Sequence, residues 1–179
     1  MHHNQGFSII ELIVTMAVAF TGIPLAVSAG QSMLTSNRLT TSANQIFEDL
    51  FRARSEAILR NTRITLRKTG AHWEDGWIMF EDGNNNARRD PGEPLLQARP
   101  ALSGGVTLRG NRPVRQYISY LGTGLTQKTS GALQAGALML CDKTARNQPE
   151  HARAMILASS GRPRVSREPR DLNKRKCLY

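Results

Sequence analysis

The stretch that most constrains this chain is an apolar run from Phe7 to Val27 in which one formally charged side chain appears, Glu11. As a helix, those twenty-one positions extend about 30 Å, the thickness of a bilayer core. A carboxylate inside such a segment is costly to desolvate and points to a functional role. The six residues ahead of the run, Met1–Gly6, are short and polar. An ordinary secretory signal would place Lys or Arg before the run and a small-residue cleavage site after it. The first basic residue here is Arg38.

Gly6-Phe7-Ser8-Ile9-Ile10-Glu11 resembles the N-terminus of type IV prepilins. The resemblance implies cleavage by a prepilin peptidase between Gly6 and Phe7 and N-methylation of Phe7. It also implies that Glu11 pairs with the N-terminal amine of a neighbouring subunit, which offsets the desolvation of both charges. Residues 1–6 are then a leader, and residues 7–30 a transmembrane or filament-core helix. Residues 31–60 form the amphipathic second half of that helix, and residues 61–179 a β-rich head with a basic tail. The implied location is the bacterial inner membrane as a single-pass protein, and then an extracellular pilus, with other pilin subunits as partners.

Pro24, flanked by Gly22 and Gly30, predicts a kink or melted turn in the first helix. Beyond it, Leu39, Ala43, Ile46, Phe47, Leu50, Ala57 and Ile58 form a helical stripe, with Asn44, Glu48, Asp49, Arg52 and Ser55 opposite. Asn61-Thr62 closes the helix. Strand patterns follow at Ile64–Leu66, Trp77–Phe80, Val106–Leu108, Tyr117–Tyr120, Leu138–Leu140 and Met155–Leu157, while Gln127–Gly136 reads as a loop. The fold class is α+β: a long N-terminal helix packed on an antiparallel sheet. Ala53-Arg54-Ser55-Glu56-Ala57-Ile58 and Gly76-Trp77-Ile78-Met79-Phe80, with the Asp/Asn-rich stretch after the latter, are similar to the GspH/FimT group of minor pilins and pseudopilins. That resemblance covers the whole chain and implies a type IV pilin-like fold.

The positive charge is one-sided. Residues 101–179 carry fourteen Lys and Arg against four Asp and Glu, which accounts for the net charge of +10. Such asymmetry suits a polyanionic partner, although a solvated basic tail explains it too. In an exported chain, the pair Cys141 and Cys177 reads most simply as one disulfide, with two free thiols as the alternative. Within the basic region lies Gly161-Arg162-Pro163-Arg164. In extended backbone, Arg162 and Arg164 present two guanidinium forks to one side, the geometry best matched to phosphate. Arg167, Arg170, Lys174 and Arg175 extend the strip. In FimT-like minor pilins, a G-R-x-R motif in this region is associated with DNA binding during natural transformation, and Gly161, Arg162 and Arg164 match it. The expected contact is with phosphates of double-stranded DNA, with little base readout.

Asp82, Asn84, Asn86, Asp90 and Glu93 sit at positions 1, 3, 5, 9 and 12 of a calcium-loop spacing. Ala87 stands where that loop needs Gly, and hairpin turn chemistry explains the same residues, so calcium is a weak candidate. No cofactor is expected. His72 and His151 have no zinc-type spacing around them, and no phosphate loop or nucleophile motif occurs. The chain reads as a non-enzyme. Two rivals to DNA binding remain: a structural minor pilin or type II secretion pseudopilin without a nucleic-acid ligand, and an adhesin for another polyanion.

Overall fold

A computed structural model of the chain describes residues 8–142, 151–173 and 177, with side chains at all of these except 19–32 and 173. Two compact units emerge, Met1–Ser36 and Asn37–Tyr179. The first helix, α1 (Ile9–Arg60), is a single 52-residue element. Its hydrogen-bonded pattern runs through Pro24 without a break. The expected melted turn is absent, because one missing N–H bends a helix without ending it when the neighbouring turns hold.

In the first unit, Ile9, Ile10, Leu12, Ile13, Val14, Met16 and Val18 are all more than half exposed. A helix with apolar side chains exposed in this way needs lipid or other helices around it. Among the described residues, no helix is long and apolar enough to cross a membrane. The expected span over residues 7–30 falls partly on Phe7 and on side chains 19–32, outside the described residues.

In the second unit, Leu39, Ala43, Ile46, Leu50, Ala53 and Ala57 are buried on one face of α1, three or four residues apart. Ile58, expected in that stripe, is 47% exposed, and Ala53 takes the core position. The helix ends in a Schellman turn: Asn61 adopts φ +48°, Asn61 N–H donates to the Ile58 carbonyl and Thr62 N–H to that of Ala57.

Among the described residues, eight strands follow: β1 (Ile64–Lys68), β2 (Trp77–Glu81), β3 (Leu95–Arg99), β4 (Thr107–Gly110), β5 (Tyr117–Tyr120), β6 (Gly136–Cys141), β7 (Ala152–Leu157) and β8 (Pro163–Ser166). They form two four-stranded antiparallel sheets, ordered β3-β2-β1-β5 and β4-β6-β7-β8. The main core joins the α1 stripe to Ile64, Leu66, Trp77 and Ile118 of the first sheet and to Leu108, Leu138, Leu140 and Met155 of the second. On the outer face of the second sheet, Met139, Cys141, Ala152 and Ala154 make a satellite core. It is covered by Leu172 of the short helix α2 (Pro169–Asn173) and by Cys177.

Asp49 corrects the polar-face assignment. Its side chain is 2% exposed and turns toward the first sheet. There it accepts hydrogen bonds from Trp77 Nε1 (2.8 Å), Gln97 Nε2 (3.0 Å), and Arg99 Nε and Nη2 (2.9 and 3.0 Å). Trp73 and Trp77 are both core residues.

Candidate nucleic-acid interface

The Gly161–Arg164 motif occupies the turn between β7 and β8 and the start of β8. Gly161 N–H donates to the Ala158 carbonyl at 2.9 Å, and Ala158 N–H to the Arg162 carbonyl at 3.3 Å. Gly161 has φ +76°, and a Cβ there would collide with the carbonyl oxygen of Gly124. That carbonyl is held by Arg54 Nε at 3.0 Å, and Thr126 N–H donates to the Ser159 carbonyl at 3.2 Å. Arg54, from the helix signature that carries the family resemblance, thus fixes the loop against which the motif's glycine packs. Gly161 is buried, and its positive φ and close approach to Gly124 set the path of the turn.

The two arginines of the motif are exposed but not equivalent. Arg162 stands just ahead of β8, and its side chain makes no hydrogen bond or ion pair among the described residues. Arg164 lies on β8 opposite Ile156, on the outer face of the sheet. Its Nη2 donates to Asp171 Oδ2 at 3.0 Å, with the arginine side chain 52% exposed and the aspartate 12%. Farther along, Arg167 is exposed, and Arg170 Nε pairs with Glu168 Oε2 at 2.5 Å. Two arginines of the strip therefore carry an acid already, which the charge count did not reveal. Ser166 and then Arg164 hold the Asp171 carboxyl below the usual carboxylate range, against the opposing effect of burial. Lys174 and Arg175 lie outside the described residues, as do Gly6 and Phe7. Glu11 is exposed among apolar side chains in the first unit.

Cys141 and Cys177 form a disulfide with a Cα–Cα distance of 6.1 Å. The bridge ties the end of the basic strip to β6. One of the two sequence alternatives, free thiols, is thereby removed.

The Asp82–Glu93 connection is held by its own hydrogen bonds. Asp82, 1% exposed, accepts from Thr65 Oγ1 (2.8 Å), Asn86 N–H (3.0 Å) and Ala87 N–H (3.1 Å). Glu93 accepts from Gly83 N–H and Asp90 N–H at 3.0 and 2.9 Å. Asn84 and Asn86 both donate to Asp90 Oδ2. Those two amides draw the Asp90 carboxyl below its usual range. Asn85 and Ala87 take the left-handed conformation, at φ +59° and +55°, which lets the loop close on its own N–H groups. Among the described residues, no group of three or more His, Cys, Asp or Glu is arranged to hold a metal ion.

The profile of one family, described as type II transport protein GspH, matches residues 42–161. Among curated proteins, the chain is similar to the pilin-like protein PilA1 of Thermus thermophilus, 32% identical over 92 residues. That match takes in 50% of this chain and 56% of the relative, so the chain spans a little over half the length of the protein it matches. Among solved structures, the fold is similar to the type IV minor pilin FimU of Pseudomonas aeruginosa, with TM-score 0.59 and 15% identity over 73% of this chain and 89% of that one. It is also similar to the minor pseudopilin EpsH of the Vibrio cholerae type 2 secretion system, with TM-score 0.51 and 16% identity over 72% and 96% of the two chains. At such identities these likenesses show the fold alone.

Proposed function

Since the chain belongs to the type II transport protein GspH family of minor pilins and pseudopilins, which are structural and non-enzymatic subunits, we propose that it is a minor type IV pilin whose head binds DNA. Family membership supports association with other pilin subunits. On our reading, a prepilin peptidase cuts between Gly6 and Phe7, and the first helix is held in the inner membrane before the subunit enters a pilus. Glu11 pairs with a neighbouring N-terminus there. Bound DNA is carried toward the cell in natural transformation.

The observation that supports DNA binding is the exposure of Arg162, Arg164 and Arg167 along one short turn-and-strand segment, anchored through Gly161 and through the Cys141–Cys177 bridge. An anchored cationic segment loses less entropy on binding than a free one. The contact is with phosphates of duplex DNA and is sequence-tolerant. In the described part of the segment from Gly161 onward there is no aromatic side chain on which single-stranded bases would stack.

The test is a titration of the full chain, in non-ionic detergent, with a labelled duplex of about twenty base pairs, enough to cover the short segment with several phosphates. Wild type is compared with Arg162→Ala/Arg164→Ala. Binding that the double variant loses, with its melting temperature unchanged, supports the reading. Equal binding by both proteins moves the site elsewhere. Absence of binding by wild type leaves a structural subunit of a pilus or type II secretion system, the reading that the internal pairing of Arg164 with Asp171 favours.

A further inference from the structure

A second concentration of cations lies away from the tail. A cleft of about 430 Å³ opens between the end of β1, the turn at Trp73–Asp75, β4 and the approach to β5, lined by Lys68, His72, Trp73, Arg109, Arg115 and Gln116. The acids closest to it are engaged. Glu74 accepts from Leu108 N–H at 3.1 Å through one oxygen and from Arg109 through the other. Asp75 accepts from the His72 N–H at 2.8 Å. The Trp73 indole N–H is taken by the Val114 carbonyl at 2.9 Å.

The cations keep capacity to spare. Arg115 is exposed and makes no hydrogen bond or ion pair among the described residues. Lys68 donates to the Ala71 carbonyl, one of the three donors of an ammonium. His72 reports the local field: loss of solvent first, then Arg109 and Lys68, push its imidazole below the ordinary value, against Asp75.

We propose that this cleft is an anion site that takes a phosphate group, separate from Gly161–Arg164. Arg115 supplies a planar fork for two phosphate oxygens, Lys68 a point charge beside it, and Arg109 the positive wall behind. The cleft falls within the size range of small-molecule sites, so it admits a pyrophosphate-sized group or one phosphate of a nucleic-acid backbone.

Its position connects it with the tail. β4 and β8 are the two edges of the second sheet, three strand spacings or about 14 Å apart. The register Arg109↔Met139, Met139↔Ala154, Ala154↔Ser166 places Arg109 on the same face as Arg164, two residues from Ser166. Arg109 and Arg164 thus stand at opposite edges of that face, with Leu172 of α2 and Cys177 covering the strands between them.

The test uses the full chain in non-ionic detergent and an Arg162→Ala/Arg164→Ala background, so that the tail motif contributes nothing and the cleft stands or falls apart from the DNA reading. Inorganic pyrophosphate is titrated calorimetrically into this protein and into a version that adds Lys68→Gln/Arg115→Gln. The expected result is saturable binding that weakens at least tenfold in the added variant at unchanged melting temperature, together with an upward shift of the His72 titration by NMR when pyrophosphate binds. Absence of pyrophosphate binding, or equal binding by both proteins, overturns the proposal. A duplex titration of Lys68→Gln/Arg115→Gln in the otherwise wild-type chain then identifies the source of the phosphate. At least fivefold weaker duplex binding assigns the cleft to the DNA backbone, and unchanged duplex binding assigns it to a small phosphate compound.

Discussion

Gly161 carries no charge, yet it decides where the two arginines of its motif stand. Its φ of +76° and its approach to the Gly124 carbonyl leave no room for a side chain. Gly161→Ala should lower stability by about 1–3 kcal/mol, read by thermal or urea unfolding, whereas Arg162→Ala should leave unfolding unchanged. Asp171 makes a second prediction at this scale. Its carboxyl is held low by Ser166 and Arg164, so its folded value lies below the unfolded one of about 3.9. The stabilisation is therefore present above that unfolded value and lost as pH falls through the folded value. Asp171→Asn should be less stable than wild type at neutral pH, and the gap should close on acidification as the carboxyl takes up its proton. A gap that widened in acid would contradict this pairing.

At the scale of elements, α1 is locked to the first sheet by Asp49, whose buried carboxylate takes a bidentate Arg99 together with Trp77 and Gln97. Asp49→Ala leaves the Arg99 charge and the Trp77 N–H without their acceptor, and should cost about 3–5 kcal/mol in chemical unfolding. The disulfide closes a sequence separation of 36 residues. Its removal in Cys141→Ser/Cys177→Ser should cost about 3–4 kcal/mol on chain-entropy grounds and loosen α2 from the satellite core, seen as faster amide exchange at Leu172. Much of this architecture is legible in the sequence. Alternation and turn residues mark β1, β2, β4, β5, β6 and β7, and the spacing of Leu39, Ala43, Ile46 and Leu50 marks the packed face of α1. β3 is hidden because it is an edge strand with half-exposed side chains. β8 is hidden because it begins with Pro163, which a strand accepts only at such an edge position. Asp49 reads as a surface residue until Arg99, fifty residues later, is placed beside it. The tail shows the same limit: the sequence counts its arginines, and only the fold shows that Asp171 and Glu168 already hold two of them.

For the whole molecule, the two units pose different physical problems. Among the described residues, Met1–Ser36 exposes apolar side chains outside any core, while Asn37–Tyr179 contains every strand, both cores and the cationic segment. In the function proposed above, the first unit anchors a structural subunit of the GspH family in a membrane or filament. On the reading given above, the head adds a grip on DNA. The most direct measurement of that grip is the salt dependence of duplex binding by the full chain, wild type against Arg162→Ala/Arg164→Ala. If each of those arginines neutralises one phosphate, the log–log slope of affinity against salt should become shallower by about 1.8 in the variant, at roughly 0.9 per phosphate. A wild-type affinity that does not change with salt, or a slope the double substitution leaves untouched, would contradict the account.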